Sequence, residues 1–494
     1  MPCAPDTPRA RPAQLPLARF VLRARAQQRR VRRLGRSATL AALLLALGGC
    51  ATYRPQPLAA RPATAPTLHD LRVHARDIPL PRLAAQRIDL AQPLPMPAVA
   101  ALAVLNNPQL RVARDRLGIA RAQAFAAGLL PDPRFSMSRD FPRHSAGASS
   151  TAYSYGLGFD LGSLITRPAA RAAAHAHVRS IDLQLLWQEW QTAAQAQLLY
   201  VRVAGLRQRL QLLHEELRLQ QLRLRRTRAA VAAGDLPRTT ADAEFAALQA
   251  LQQRIDSARR GGVALQAQLH ALLGLAPDAT LRIAGMPRIR AQAPQQVRAA
   301  LAHIARIRPD LLALRAGYES QEQALREAVL AQFPSISIGF TRARDTSDVN
   351  TVGFGLSLSL PLFNGARGRV AVQRATRQEL RDAYQLRLDQ TASDVARSLR
   401  ELAELERQRS QLEAGLPTLR AAARAAQAAL RRGEITLPQA QAQRQALLEQ
   451  RLALQGVRQL LAEQAVGLDA LTGAGLYRAA APQLPRIPPQ ARRS

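Results

Sequence analysis

The sequence predicts a mainly α-helical fold with a small membrane β-barrel contribution, made of two tandem repeats of helix, β-hairpin, very long helix and shorter helix. Three observations carry this reading. Alanine, leucine, arginine and glutamine dominate the 494 residues while aromatics are only 4%, a composition of long helices rather than of several compact domains. Short motifs return after 199 or 201 residues. Between the helical stretches lie segments that alternate apolar and small residues with a period of two.

The chain opens on a basic segment, with ten arginines against the single acid Asp6 in residues 1–37, followed by the apolar run Ala38–Leu47 and then Gly48-Gly49-Cys50. That order is a lipoprotein signal, too short in its apolar part to span a bilayer permanently. Residues 1–49 are expected to be removed, leaving Cys50 as the lipidated N-terminus. The basic part is long enough that translation is expected to start downstream of Met1. Arg29-Arg30 and Arg32-Arg33 lack the residues that follow a twin-arginine signal. One cysteine would remain after cleavage, so stability must come from packing and not from an internal disulfide. Thr52 is not the aspartate that commonly retains lipoproteins at the inner membrane. An extended, lipid-anchored segment is expected over 50–95.

The repeat is read from paired motifs. Asn107-Pro108-Gln109-Leu110 is echoed by Arg308-Pro309-Asp310-Leu311, and Pro133 by Pro334, at an offset of 201. Gly234-Asp235-Leu236 returns as Gly433-Glu434-Ile435, and Ala271-Leu272-Leu273-Gly274 as Ala470-Leu471-Thr472-Gly473, at 199. The expected organisation is a first repeat over 96–274, a linker over 275–295, a second repeat over 296–473 and a Pro/Arg-rich tail over 474–494.

In the first repeat a helical pattern covers Met96 to Leu130 and is stopped by Pro131 and Pro133. Strands follow. Tyr153, Tyr155, Leu157, Phe159 and Leu161 alternate with small or polar residues, and in the second repeat Ile336, Ile338 and Phe340, then Phe354, Leu356, Leu358 and Leu360, do the same. Four strands of roughly ten residues match a tilted bilayer crossing but cannot close a barrel alone, so further copies must complete the sheet.

A long helix is expected from Pro168, a suitable first-turn residue, to Ala233, with Gly205 as its weak point. That is about 65 residues or about 98 Å. A second runs from Arg367 to Arg432, with a kink expected at Gly415 and Pro417. The flanking helices Met96–Leu130 and Arg238–Leu273 are about half as long, so two stacked end to end would lie along one long helix.

The lipoprotein signal, the twofold repeat, the Asn-Pro-x-Leu opening and the run Ser359-Leu360-Pro361-Leu362-Phe363-Asn364-Gly365-Ala366-Arg367-Gly368 together resemble the TolC-type outer-membrane factors of efflux pumps. The Pro-Leu-Phe-Asn run and Pro417, sixteen residues before Gly433, are similar to the branch serving heavy-metal cation pumps. The resemblance implies a homotrimer whose twelve strands form a barrel in the outer membrane of a Gram-negative bacterium, continued by a helical tunnel into the periplasm. It also implies two protein partners, a periplasmic adaptor (membrane fusion protein) and an inner-membrane transporter that supplies the energy. No cofactor is implied. Cargo would be small toxic solutes, drugs or heavy-metal cations.

In such proteins the turns Gly234-Asp235-Leu236 and Gly433-Glu434-Ile435 lie at the periplasmic mouth and meet the adaptor. An ordinary glycine-terminated helix hairpin would use the same residues. Family members often gate this mouth with acids just beyond the second glycine, where this chain has Gln441 and Gln443. Their repeat counterparts are Asp242 and Glu244, and Arg431 and Arg432 precede the second turn. A mouth-closing network of these six residues is therefore expected in place of an acidic ring.

The net charge of +34 is carried by arginine with no lysine. The arginines are scattered among acids along helices instead of clustering with aromatics, which argues against a nucleic-acid partner. Contact with anionic lipid headgroups and an anion bias in any pore the chain lines are the expected consequences. His175-Ala176-His177 has no cysteine or carboxylate cluster at metal-ligand spacing, and no phosphate loop or nucleophile elbow occurs. No enzyme is expected. Two alternatives stand beside the efflux duct. An exit duct for a type I protein secretion system shares the fold, and a lipid-tethered periplasmic coiled-coil scaffold would explain the helices but not the strands.

Overall fold

The structure is a computed structural model and describes residues 53–143, 150–289 and 291–473. The chain divides into two units, Met1–Ala63 and Thr64–Ser494. In the first, residues 53–63 carry no regular element. The second contains α1 (Pro81–Ala84), α2 (Met96–Asn106), α3 (Pro108–Gly128), β1 (Arg134–Asp140), β2 (Ala152–Asp160), α4 (Gly162–Ala232) and α5 (Arg238–Leu273). It continues with α6 (Pro294–Ala302), α7 (Ile304–Ile307), α8 (Pro309–Leu330), β3 (Ser335–Arg344), β4 (Asn350–Ser359), α9 (Arg367–Arg432) and α10 (Leu437–Thr472). The repeat is visible in this order.

α4 and α9 are the frame. With 71 and 66 residues, they run about 107 Å and about 99 Å at 1.5 Å per residue. α3 and α5 both pack along α4, α3 on its first part and α5 on its last, as Arg114–Glu189 at 2.8 Å and Arg223–Glu244 at 2.7 Å mark. α8 and α10 fit between α4 and α9 and touch both. Ser180 on α4 donates to the Ala313 carbonyl of α8 at 2.8 Å, while Gln455 on α10 donates to the Gly205 carbonyl of α4 at 2.8 Å. Two short helices therefore do lie along each long one.

Several expectations are corrected by this packing. Pro168 sits six residues inside α4, not at its start. There its ring removes the N–H that would bond the Leu164 carbonyl, so α4 carries the proline as an interior residue. Gly205 is no weak point: a Cβ there would stand 2.2 Å from Gln459, so the glycine is what lets α10 approach. α9 runs as one helix through Gly415 and Pro417, a continuity that the expected kink at the proline would leave intact. Gln450 on α10 donates to the Leu412 carbonyl there at 3.0 Å, tying the second short helix to this stretch.

The single helix expected over Met96–Leu130 is two. Asn107 separates α2 from α3, its side-chain oxygen accepting from the backbone of Gln109 at 2.8 Å and Leu110 at 3.1 Å, the N-cap bond. The break lets α2 bury itself entirely. Ala98 to Val104 have no accessible surface, as expected for a helix apolar on all sides.

The cover on α2 comes partly from a segment expected to be extended. Residues 64–95 form 3-10 turns at Leu68–Asp70 and Ala75–Asp77 and the helix α1, and put Leu71, Ile78, Leu80, Leu83 and Leu94 into the core around α2. Two parallel bridges, Ala65 with Leu275 and Leu94 with Ile283, tie it to the linker after α5. The buried Tyr200 hydroxyl lies 3.0 Å from the Ala284 carbonyl beside them. Burial raises its pKa above the ordinary tyrosine value.

The two repeats lock their short helices with equivalent contacts made by different chemistry. In the first, the Asn107 amide donates to the Leu272 carbonyl at 3.1 Å. In the second, Arg308 donates to the Leu471 carbonyl at 3.1 Å, pairs with Asp310 at 2.6 Å and lies over the Trp187 ring at 4.6 Å. Arg308 and Asp310 are both buried, and Arg387 of α9 reaches Asp310 at 3.1 Å. Truncating Arg308 leaves a buried carboxylate with one partner fewer and an uncapped carbonyl. Arg308→Ala is expected to cost about 3–5 kcal/mol, and Asn107→Ala about 1–2 kcal/mol. Thermal unfolding of the two variants should keep that order.

Candidate functional site

Two places in the fold expose what a packed core would hide. The first is the sheet. β1, β2, β3 and β4 pair antiparallel in sequence order, so the hairpin of each repeat lies beside the other, joined through β2 and β3. The registers align rows of side chains across the sheet. From the helix-proximal end these are Ile336–Leu358, then Phe159–Ile338–Leu356, then Phe135–Leu157–Phe340–Phe354. Met137–Tyr155–Arg342–Val352 follows, and Arg139–Tyr153–Arg344–Asn350 lies nearest the hairpin tips. The opposite face carries Ser136, Ser154, Gly156, Gly158, Ser337, Gly339, Thr341, Gly353, Gly355 and Ser357.

Period-two alternation requires this separation of faces, but the register makes it consistent across strands from both repeats. Phe135, Met137, Leu157, Phe340, Val352, Phe354, Leu356 and Leu358 are all exposed, Phe354 by 73%. Tyr153, Tyr155, Leu157 and Phe159 lie in β2, and Phe354, Leu356 and Leu358 in β4, as expected. Leu360 falls one residue past the end of β4 and is also exposed. The strands span seven to ten residues. β1 and β4 form the two edges, each with a side that is unpaired among the described residues.

The second place is the pair of turns at the far ends of α4 and α9. Gly234 has φ +83° and Gly433 φ +76°, the left-handed conformation that glycine adopts without Cβ strain. Asp235 N donates to the Ala230 carbonyl at 2.9 Å and Glu434 N to the Ala429 carbonyl at 3.0 Å, the same helix-ending motif in both repeats. Nothing lies within 4 Å of where a Cβ on either glycine would stand. Leu236 is partly exposed, Glu434 exposed and Ile435 half-buried.

The six residues expected to close the mouth are not brought together within one chain. Glu244 bonds across to α4, pairing with Arg223 at 2.7 Å and accepting from Gln220 at 2.8 Å. Arg223 and Gln220 were not singled out by sequence, since neither belongs to a repeated motif. Arg432 reaches only Glu434 of its own turn, and that hydrogen bond holds the Glu434 carboxyl below its ordinary pKa. Asp242, Arg431 and Gln443 are exposed. The Gln441 side-chain oxygen is buried without a hydrogen-bond partner. Cys50 lies outside the described residues. Among the described residues no group of His, Cys, Asp and Glu side chains is placed to hold a metal ion.

Residues 300–474 match the family described as outer membrane efflux protein. The match lies on the second repeat. Equivalent caps and turns carry the same architecture through residues 96–274. Solved structures share the fold. The outer-membrane channel OprN aligns with TM-score 0.65 at 17% identity, over 86% of this chain and 98% of that one. CusC aligns with TM-score 0.62 at 17% identity, over 80% and 97%. VceC of Vibrio cholerae aligns with TM-score 0.61 at 18% identity, over 77% and 95%. Curated protein sequences give no match. The fold is thus one that this chain shares with solved outer-membrane proteins.

The free space around the turn glycines makes a prediction about them. Gly234→Ala and Gly433→Ala meet no neighbour, so each should cost only the left-handed backbone strain of about 1–2 kcal/mol. Hydrogen exchange should rise in residues 230–236 or 429–436, with the global unfolding transition unmoved.

Proposed function

We propose that this chain is the outer-membrane duct of a tripartite efflux system, passing small toxic solutes from an inner-membrane transporter and its periplasmic adaptor to the exterior. The observation that carries the reading is the sheet: a largely exposed apolar face, a small-polar face opposite it, and two open edges, at the end of helices about 100 Å long. In lipid an open edge leaves backbone groups unpaired. A homotrimer closes it, β4 of one copy beside β1 of the next, into a twelve-stranded barrel with the apolar rows toward lipid and the serines and glycines toward the lumen. The helices continue that lumen into the periplasm.

At the mouth, the Gly234 and Gly433 turns serve as the adaptor contacts. The first hairpin presents Asp235, Asp242 and Glu244, the second Arg431, Arg432 and Glu434. In a ring of three chains these hairpins alternate, so the contacts that close the mouth join Asp242 of one hairpin to Arg431 of the next. Gln441 and Gln443 fill the same level. Lipidation at Cys50 adds an anchor in the same membrane as the barrel and favours a solute pump over a polypeptide exit duct. A coiled-coil scaffold leaves the exposed apolar face without a role.

The two faces give the test. Leu356→Arg puts a cation on the lipid face, where a charge near the bilayer midplane costs about 2–4 kcal/mol, and should abolish the heat-sensitive high-mass band typical of membrane barrels. Ser357→Arg, one residue away on the lumen face, should leave that band intact. Equal behaviour of the two would reject the barrel. A deletion strain should become sensitive to organic toxicants or to metal cations, and unchanged sensitivity to both would reject the efflux role.

A further inference from the structure

The apolar face of the sheet does not stay apolar to its end. Three rows carry only Ile, Leu and Phe, the fourth brings in Tyr155 and Arg342, and the fifth is Arg139–Tyr153–Arg344–Asn350. All five rows are on one face. From Leu360 to Val352 the apolar stretch of the β4 side spans eight residue steps, roughly 27 Å along the strand at 3.4 Å per residue, which a tilt of about 40° turns into about 21 Å of height, near that of an apolar membrane band. The arginines thus begin where the hydrocarbon would end, on the side of the hairpin tips.

Each arginine in these rows is differently engaged. Arg344 is paired with Asp348 in the β3–β4 turn, its Nε buried and without a hydrogen-bond partner. Arg139 is exposed and lies over the Phe141 ring at 5.0 Å. Arg342 is exposed, and among the described residues no ion pair is formed by it or by Arg139. The β1–β2 connection, residues 141–151, contains Arg143 and His144 and no carboxylate. Tyr153 and Tyr155 stand between the two arginine-bearing strands with ring centroids 5.5 Å apart. Tyrosine favours the headgroup level, and guanidinium binds phosphate through paired N–H donors.

We propose that this rim is a docking surface for the phosphate groups of the lipids surrounding the hairpin tips, with Arg139 and Arg342 as the phosphate ligands and Tyr153 and Tyr155 packing against the headgroup. The proposal rests on the barrel reading, which puts this face toward lipid. Charge complementarity fixes the occupant: the face is apolar below, aromatic at the boundary and cationic above, the order of groups along a phosphorylated lipid. Arg344 is held by Asp348 and shapes the turn.

The test uses the full-length assembled protein in detergent, with bisphosphorylated lipid A and the same lipid after removal of its phosphates as probes, read by native mass spectrometry. The wild type should retain the phosphorylated form preferentially. Arg139→Gln with Arg342→Gln should weaken that retention by roughly fivefold per arginine, and Arg298→Gln with Arg400→Gln, on exposed helix positions away from the sheet, should not. Equal retention of the two lipids by the wild type, or an unchanged preference in R139Q/R342Q with the heat-sensitive band intact, overturns the inference alone. Competition by inorganic phosphate as strong as by the lipid overturns it in favour of a free-anion site. Absence of the heat-sensitive band in the wild type overturns the barrel reading, and this inference with it.

Discussion

Every backbone N–H and C=O on the outer sides of β1 and β4 needs a partner, and the chain supplies none from its own sheet. In water such edges could be solvated, but the exposed phenylalanines and leucines on one face make water the wrong solvent for this sheet. In the proposed barrel both requirements are met at once, by closure with further copies. That constraint explains the repeat as well. A single hairpin would present two edges for two strands. Pairing β2 with β3 across the repeats halves the number of edges per strand and fixes both hairpins at one height.

The helices then have to carry that height over about 100 Å without a thick core. The packing does this by letting α8 and α10 touch both long helices, so that one layer of short helices ties α4 to α9. Most ion pairs along the wall are partly exposed, such as Arg202–Glu463 at 3.0 Å and Arg458–Glu413 at 2.9 Å, and contribute little singly. The buried groups matter more. Glu189 is held at 2.8 Å by Arg114, yet desolvation, with the Asp182 carboxylate adding to it, still raises its pKa. A buried pair whose attraction is offset by desolvation fixes the alignment of α3 on α4 more than it adds stability.

Features that repeat or that backbone geometry forces were legible in the sequence. Gly234 and Gly433 are read twice, and only glycine ends a helix this way without strain. α9 has its predicted limits because Gly365 and Gly433 bound it. What escaped depended on contacts between distant segments. Gly205 looks like a helix weakness until Gln455 and Gln459 arrive from α10. Pro168 looks like a helix start because proline suits a first turn, yet α4 begins at Gly162 and carries it inside. Residues 64–95 show no periodicity, and their short turns exist only because α2 offers an apolar surface all round. Arg223 and Gln220 are ordinary helix residues until the hairpin brings Glu244 beside them.

The arginine excess illustrates the same point for charge. Summed over the chain it says only that the protein is strongly basic, and the same total would suit a nucleic-acid binder. Placement decides between these meanings. Along the helices the arginines are interleaved with acids at helical spacing, as in Arg397–Asp394 and Arg409–Glu406, which disperses the excess instead of building a groove for a polyanion. In the sheet the alternation puts Arg139, Arg342 and Arg344 on the apolar side, although a cation there is costly at the membrane midplane. Register resolves the conflict by gathering all three into the two rows nearest the hairpin tips, which in the proposed barrel is where headgroup phosphate and water replace hydrocarbon. On the helices the excess is dispersed along exposed faces, and on the sheet it is confined to one end.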